Sequence, residues 1–161
     1  MLTLYLLRHA KSSWDDASQQ DFERPLASLG HKACVTIGEF IQEKGIDFDV
    51  VLVSSAARTR ETIELVKERA KIRGEVRYDE RIYEATLSQL LEIISQIDHD
   101  RESVLLVGHN PGIEELLSLL TGEQQRVTTA NFAKIKLKAI NWSENLANKG
   151  TLKWIIRPKE I

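Results

Sequence analysis

A cysteine framework, an excess of one charge and long hydrophobic runs are all missing from this sequence. Its single cysteine, Cys34, excludes an internal disulfide, and no cysteine and histidine spacing resembles a zinc site. With 22 basic and 24 acidic side chains the net charge is −2, which gives no general attraction for nucleic acid or anionic lipid. The apolar residues 2–7 stop at Arg8, so this run is too short for a membrane span or a signal peptide. We therefore expect a cytoplasmic protein that binds neither nucleic acid nor membrane.

The composition is that of an ordinary globular domain. The chain has 161 residues, of which 42% are hydrophobic and 29% charged, and this is too apolar for a disordered chain. A chain of this length buries about 70% of its extended surface on folding, so a core forms without cross-links. No internal repeat, low-complexity tract or linker interrupts the sequence. We expect residues 1–161 to form one domain, and a monomer because no long exposed apolar stripe is evident.

Buried strands alternate with amphipathic helices along most of the chain. Runs that are apolar on both faces predict strands at residues 2–7, 49–53 and 104–107, with a further short strand at 76–78. Apolar residues at helical spacing predict four helices, of which the first ends near Lys44 with Gly45 in the left-handed conformation. This alternation predicts a three-layer α/β/α sandwich with a mostly parallel central sheet.

Helix-capping residues and alternating apolar and polar residues predict the helices and strands of the second half of the chain. Thr86 and Gln89 form a capping box for the third helix. Asn110 and Pro111 are predicted as the N-cap and first residue of the fourth helix, which Gly122 closes. Two strands are predicted at 133–140 and 151–156, partly antiparallel, and the alternating lysines of the first favour one solvated face and an edge position.

Chemically active side chains follow the buried strands directly. In parallel α/β sheets, ligands bind beyond the carboxyl ends of the strands. Three distant segments therefore bring two histidines and two arginines to one rim. The residues that follow the strands are Arg8 and His9, then Ser54 and Ser55 leading to Arg58, and finally Gly108, His109 and Asn110.

The two arginines favour a phosphoryl ligand. A guanidinium matches phosphate bidentately, and the motifs that hold Arg8 and Arg58 contain no obvious carboxylate partner. At about 4 Å and an effective dielectric of roughly 20, each contact is worth about 4 kcal/mol before desolvation. The same positive field lowers the pKa of nearby imidazoles. We expect His9 to be neutral near pH 7 and able to act as a nucleophile, and a protonated His109 to balance the bound phosphoryl charge.

Four motifs follow one another along the chain, namely Leu7-Arg8-His9-Ala10, Arg24-Pro25-Leu26 with Gly30, Ser55-Ala56-Ala57-Arg58-Thr59-Arg60-Glu61-Thr62, and Val107-Gly108-His109-Asn110-Pro111-Gly112. In this order they resemble the histidine phosphatase superfamily, and the similarity is strongest to its short SixA-type phosphohistidine phosphatase branch, nearly end to end. Ala10 stands where the larger family usually has glycine, and Ala56 where larger members have proline. The resemblance implies a phosphoglycerate mutase-like fold that uses neither a metal ion nor an organic cofactor.

The resemblance also implies roles for the rim residues. His9 would accept the phosphoryl group as a phosphohistidine, and Arg8, Arg58 and His109 would complete the phosphate pocket. Further candidates for contact with substrate are Ser12, Ser55, Asn110 and Glu84.

The general acid is the open point in this assignment. Expulsion of an alkoxide from a phosphomonoester needs a positioned acid. The resemblance places such an acid after the second helix, where the chain offers Asp79, Glu80 and, as the first choice, Glu84. A phosphoramidate needs none, because a ring nitrogen with a pKa near 6.5 leaves readily.

A phosphohydrolase acting on protein phosphohistidine, for example on a histidine phosphotransfer domain, is the expected function. No insertion is long enough to form a lid, so the rim should be open, and Trp14 borders it as a potential anchor for a protein partner. One alternative is a phosphomonoesterase or mutase of small phosphorylated metabolites. Another is a non-catalytic phosphate-binding module, which would bind phosphate without forming a phospho-enzyme.

Overall fold

Six strands and four α-helices make up the computed structural model, which describes residues 1–161. The strands are β1 (Leu2–Arg8), β2 (Val50–Ser54), β3 (Glu75–Asp79), β4 (Ser103–Gly108), β5 (Phe132–Leu137) and β6 (Gly150–Ile156). The helices are α1 (Ser28–Lys44), α2 (Ala57–Ala70), α3 (Leu87–Ser95) and α4 (Gly112–Thr121). No helix has both the length and the apolar character needed to cross a membrane.

The strands form one sheet in the order β3-β2-β4-β1-β5-β6. The pairs β3–β2, β2–β4 and β4–β1 are parallel, while β5 is antiparallel to both β1 and β6. The predicted mostly parallel sheet with antiparallel C-terminal strands is therefore confirmed.

Two details of the predicted C-terminal strands are wrong. The strand expected at 133–140 does not lie at an edge, because β6 pairs along its outer side. It also ends at Leu137, and the Glu144 carboxylate accepts hydrogen bonds from the backbone N–H groups of Ile140 and Asn141 in the turn that follows.

Two hydrophobic cores lie on opposite faces of the sheet. Helices α1 and α2 cover one face and α3 and α4 the other, which confirms the three-layer sandwich. Neighbouring residues of β1 serve opposite cores, since Leu4 and Leu6 pack with α3 and α4 while Leu7 packs with α1 and α2. Each such fully buried side chain stabilises the fold by about 1.5–3 kcal/mol, so β1 is held from both sides.

The helix ends follow the predicted chemistry with one exception. Gly45 closes α1 at φ 64°, and the capping box that begins α3 is present. Helix α4, however, begins at Gly112 after a cis Asn110–Pro111 bond. The predictions of Asn110 as N-cap and Pro111 as first helical residue are wrong, because Pro111 itself is the N-cap and no side chain caps the helix. The Asn110 side chain donates from Nδ2 to the carbonyl of Val127 at 2.8 Å, and its Oδ1 has no partner.

Candidate active site

A cavity of about 290 Å³ lies beyond the carboxyl ends of β1, β2 and β4, which are neighbours in the sheet. The predicted meeting of Arg8, His9, Arg58 and His109 at one rim is confirmed, since all four side chains line this cavity. The full lining is Arg8, His9, Lys11, Ser12, Trp14, Arg24, Arg58, His109, Asn110 and Thr129.

His9 is held in one tautomer by the chain itself. Its Nδ1 lies 2.7 Å from the carbonyl of Ala10, and because a carbonyl only accepts, Nδ1 carries the proton. Burial, followed by the charges of Arg58 and Arg8, lowers the pKa of His9 to about 4. The ring is therefore neutral near pH 7 and its Nε2 has a free lone pair, as expected from the sequence.

His109 stands opposite His9, with 5.3 Å between the ring centroids. Burial lowers its pKa to about 3, assisted by the proximity of His9 and Arg58. Its Nε2 lies 2.7 Å from the Oγ of Ser54, while its Nδ1 is buried without a partner. Sequence reasoning placed Ser54 at a strand end but did not connect it to His109, which is 55 residues away.

The two arginines that line the cavity have different hydrogen-bond partners. Arg8 donates from Nη1 to the carbonyl of Val127 at 3.2 Å and has no carboxylate partner. Arg58 is almost fully buried and donates from Nη1 to the backbone carbonyl of Asp21 at 2.8 Å. The Nε of each arginine is buried without an acceptor. An unpartnered buried donor costs about 1–3 kcal/mol, so both arginines are held in place at a cost to the stability of the fold.

Asp21, which lies outside the motifs that hold the two arginines, is a carboxylate partner of Arg58. Its Oδ2 accepts from Arg58 Nη2 at 3.1 Å and from the Tyr83 hydroxyl at 2.5 Å, and its Oδ1 accepts from Arg24 Nε at 3.1 Å. The Tyr83 hydrogen bond, followed by Arg58, lowers the pKa of Asp21 to about 2. The carboxylate is thus ionised at neutral pH. The one signal in the sequence is its position three residues before Arg24.

Arg24 braces the loop that borders the cavity. It donates from Nη1 to the Oγ of Ser12 at 2.8 Å and to the carbonyl of Ser13 at 3.2 Å. Its guanidinium carbon lies 3.5 Å from the ring centroid of Trp14, whose side chain is nevertheless 74% exposed. Gly30 supports the same loop, because a Cβ there would collide with the carbonyl of Lys11. Ser12 and Trp14 consequently stand at the cavity wall as expected.

Two predicted substrate contacts lie elsewhere. Ser55 faces a neighbouring cavity that it shares with Glu23 and Glu61. Glu84 is exposed, has a left-handed backbone at φ 54°, and does not line the cavity of His9. The lining residue that sequence reasoning missed is Thr129. No group of three or more metal-ligating side chains comes together in the structure.

Comparison with known proteins gives consistent matches. Residues 4–93 match the sequence pattern of the histidine phosphatase superfamily, branch 1. An uncharacterised chloroplastic protein of Arabidopsis thaliana is 32% identical over 160 residues, covering 94% of this chain and 73% of the plant protein.

Solved structures extend the similarity to the fold. The structure described as phosphohistidine phosphatase SixA from Agrobacterium tumefaciens superposes with a TM-score of 0.85 and 26% identity, covering 98% of both chains. The corresponding structure from Nakamurella multipartitia gives a TM-score of 0.84 and 28% identity, covering 98% of this chain and 96% of the other. The shared fold therefore spans nearly the whole chain.

Proposed function

Because this chain belongs to branch 1 of the histidine phosphatase superfamily and is a phosphatase, we propose that it hydrolyses protein phosphohistidine. The observation that carries the proposal is the state of His9. Its Nδ1 proton is engaged by Ala10, and its Nε2 is unprotonated in a cavity lined by cations. Such a ring attacks phosphorus without first having to lose a proton.

The phosphoryl group is held by the charged wall of the cavity. Arg8, Arg58 and His109 line this wall, and the guanidinium of Arg8 has no carboxylate partner within the protein. These groups are positioned before the ligand arrives, so they stabilise the charge of the transferring phosphoryl group at little reorganisation cost. His109 is neutral in the free protein, and a bound phosphoryl dianion would raise its pKa towards the protonated form.

The reaction has two steps. In the first, the lone pair of His9 Nε2 forms a bond to phosphorus while the P–N bond of the substrate breaks. A substrate ring that carries a proton on its other nitrogen leaves as neutral imidazole, which is a good leaving group because its conjugate acid has a pKa near 6.5. In the second step, water attacks phosphorus, its proton passes to the released phosphate, and the pair of the P–Nε2 bond returns to His9.

The acid–base character of the site supports a phosphoramidate over an alkyl phosphate. Departure of an alkoxide gains about 10²–10⁴-fold from a positioned acid. No carboxylate lines the cavity of His9, and Asp21, which holds Arg58, has a pKa of about 2 and is ionised. The likeness to the two SixA structures supports the same substrate class. The exposed Trp14 at the rim suits a protein that presents its phosphohistidine to an open site.

Rapid quench tests the proposal with two labelled substrates, phosphoramidate and a phosphohistidine peptide. We expect an acid-labile, base-stable phosphoryl adduct on the wild-type protein, and loss of both adduct and turnover in His9→Ala. His31→Ala, which removes an exposed histidine, is the matched control for folding and should react like the wild type.

Three results would count against the proposal. Substantial turnover by a folded His9→Ala protein would reject the nucleophile. Faster turnover of an alkyl phosphate than of phosphoramidate would indicate a metabolite phosphatase. Phosphate binding with no adduct and no turnover would indicate a binding module.

A further inference from the structure

A second cavity opens next to that of His9, on the side towards β6. It has a volume of about 550 Å³ and shares Lys11 and Thr129 with the first. Residues before β5 and after β6 reach this place because both ends lie beside the end of β1, where Phe132 pairs with Leu7 and with Ile156. A substrate that fills the first cavity can therefore continue directly into the second.

This second cavity, which we call the basic groove, carries unneutralised positive charge. Lys11, Lys32 and Lys159 line it and form no ion pair, and the Glu160 carboxylate is already engaged by Arg157 Nε at 3.5 Å. The chain as a whole has a net charge of −2, so the cations are a local concentration. Their field extends over the groove and falls off within a Debye length of about 8 Å at physiological salt.

The opposite side of the active site has the reverse charge. A cavity near the ends of β2 and β3 contains Ser55 and is lined by four glutamates and a single arginine. The rim is therefore basic towards β6 and acidic towards β3. A partner with one acidic flank is attracted to the basic groove and repelled from the other side, which fixes its orientation. The glutamates are Glu23, Glu61, Glu64 and Glu80.

An apolar surface accompanies the cations of the basic groove. Leu29, on the first turn of α1, is 60% exposed and lines the groove together with the methyl-bearing Thr36. Mixed apolar and cationic lining suits a peptide segment in which carboxylates accompany aliphatic carbon, rather than a small free anion.

We propose that the basic groove binds an acidic segment of the protein that carries the phosphohistidine, while the phosphorylated ring occupies the cavity of His9. This inference rests on the proposed function and adds the surface by which the enzyme recognises its substrate. Attraction of this kind acts mainly on encounter and orientation, so it lowers KM and leaves the chemical step unchanged.

The test uses two synthetic phosphohistidine peptides that differ only in having glutamates or glutamines around the phosphorylated residue. For the wild type at low salt we expect kcat/KM to be about tenfold higher for the glutamate peptide. The difference should come from a lower KM, while kcat is the same for both peptides. At about 1 M salt, where the Debye length is about 3 Å, the preference should disappear. In the double variant Lys32→Glu/Lys159→Glu the preference should disappear at low salt as well.

Lys67→Glu/Lys138→Glu is the matched control, because it changes the net charge equally at two exposed lysines outside both cavities. It should keep the preference for the glutamate peptide. Equal rates for the two wild-type peptides, or equal losses in both double variants, would overturn the groove assignment. Absence of turnover of phosphoramidate and of both peptides by the wild type would instead reject the proposed function.

Discussion

Asp21 holds Arg58 at two points, with its backbone carbonyl on Nη1 at 2.8 Å and its carboxylate on Nη2 at 3.1 Å. The same carboxylate accepts hydrogen bonds from the Tyr83 hydroxyl and from the Nε of Arg24. A guanidinium anchored in this way has a set orientation before any ligand arrives, which is the condition for efficient electrostatic stabilisation of a transferring phosphoryl group. We therefore regard Asp21 as a positioning residue for Arg58.

Asp21→Asn should lower kcat on phosphoramidate by about ten- to a hundredfold, because Arg58 loses its charged anchor while keeping its own charge. Steady-state kinetics measure the change. Asp15→Asn, an exposed substitution in the neighbouring loop, is the control and should behave like the wild type. A kcat of Asp21→Asn within about twofold of the wild type would show that Arg58 does not need this anchor.

Ser54→Ala should lower kcat/KM by about tenfold, because the Nε2 of His109 loses the only hydrogen-bond partner of its ring. The neighbouring Ser55→Ala is a close control, since Ser55 faces a different cavity and its loss should have little effect. If Ser55→Ala lowered kcat/KM more than Ser54→Ala does, the substrate would have to contact Ser55.

The pH dependence of stability should report the two site histidines. The pKa values of His9 and His109 are about 4 and 3 in the folded protein, below the ordinary value near 6.5. Between these values the unfolded chain takes up protons that the folded chain does not, so stability is lost as the pH falls below 6.5. Each histidine should lower the unfolding free energy by about 2 kcal/mol between pH 7 and pH 5.

Urea unfolding at pH 7 and at pH 5 measures this decrease in the unfolding free energy. His109→Gln should remove about half of it, whereas His31→Gln, at an exposed position, should leave it unchanged. Asp21 contributes little in this window, because its carboxyl titrates near pH 2. An identical pH dependence in His109→Gln and the wild type would mean that His109 titrates normally.

Glu84→Gln should change kcat/KM by no more than about twofold on both phosphoramidate and an alkyl phosphate, because its side chain is exposed and outside the cavity. Asp21→Asn, for which a lower kcat is expected, is the positive control in the same assay. A severe loss on the alkyl phosphate alone would restore Glu84 as a general acid for phosphomonoesters.

Local patterns carried most of the fold prediction. The strands β1, β2 and β4 are buried on both faces, so their sequences are nearly continuous apolar runs. Such runs can be recognised as strands from the sequence. The edge assignment of β5 was wrong because the alternating lysines describe a face of the strand, whereas its place in the sheet depends on whether β6 pairs with it. Pairing of that kind is a non-local property.

By itself the sequence determined the alternation of strands and helices and, through the order of its strand ends, the meeting of His9, Arg8, Arg58 and His109. Parallel strands point their carboxyl ends the same way, so local motifs at those ends were enough. Only the tertiary structure decided that Asp21 anchors Arg58, that Ser54 orients His109 and that the rim is basic on one side and acidic on the other. These contacts join residues 37 and 55 positions apart along the chain, or loops from opposite ends of it, and packing alone brings them within hydrogen-bonding distance.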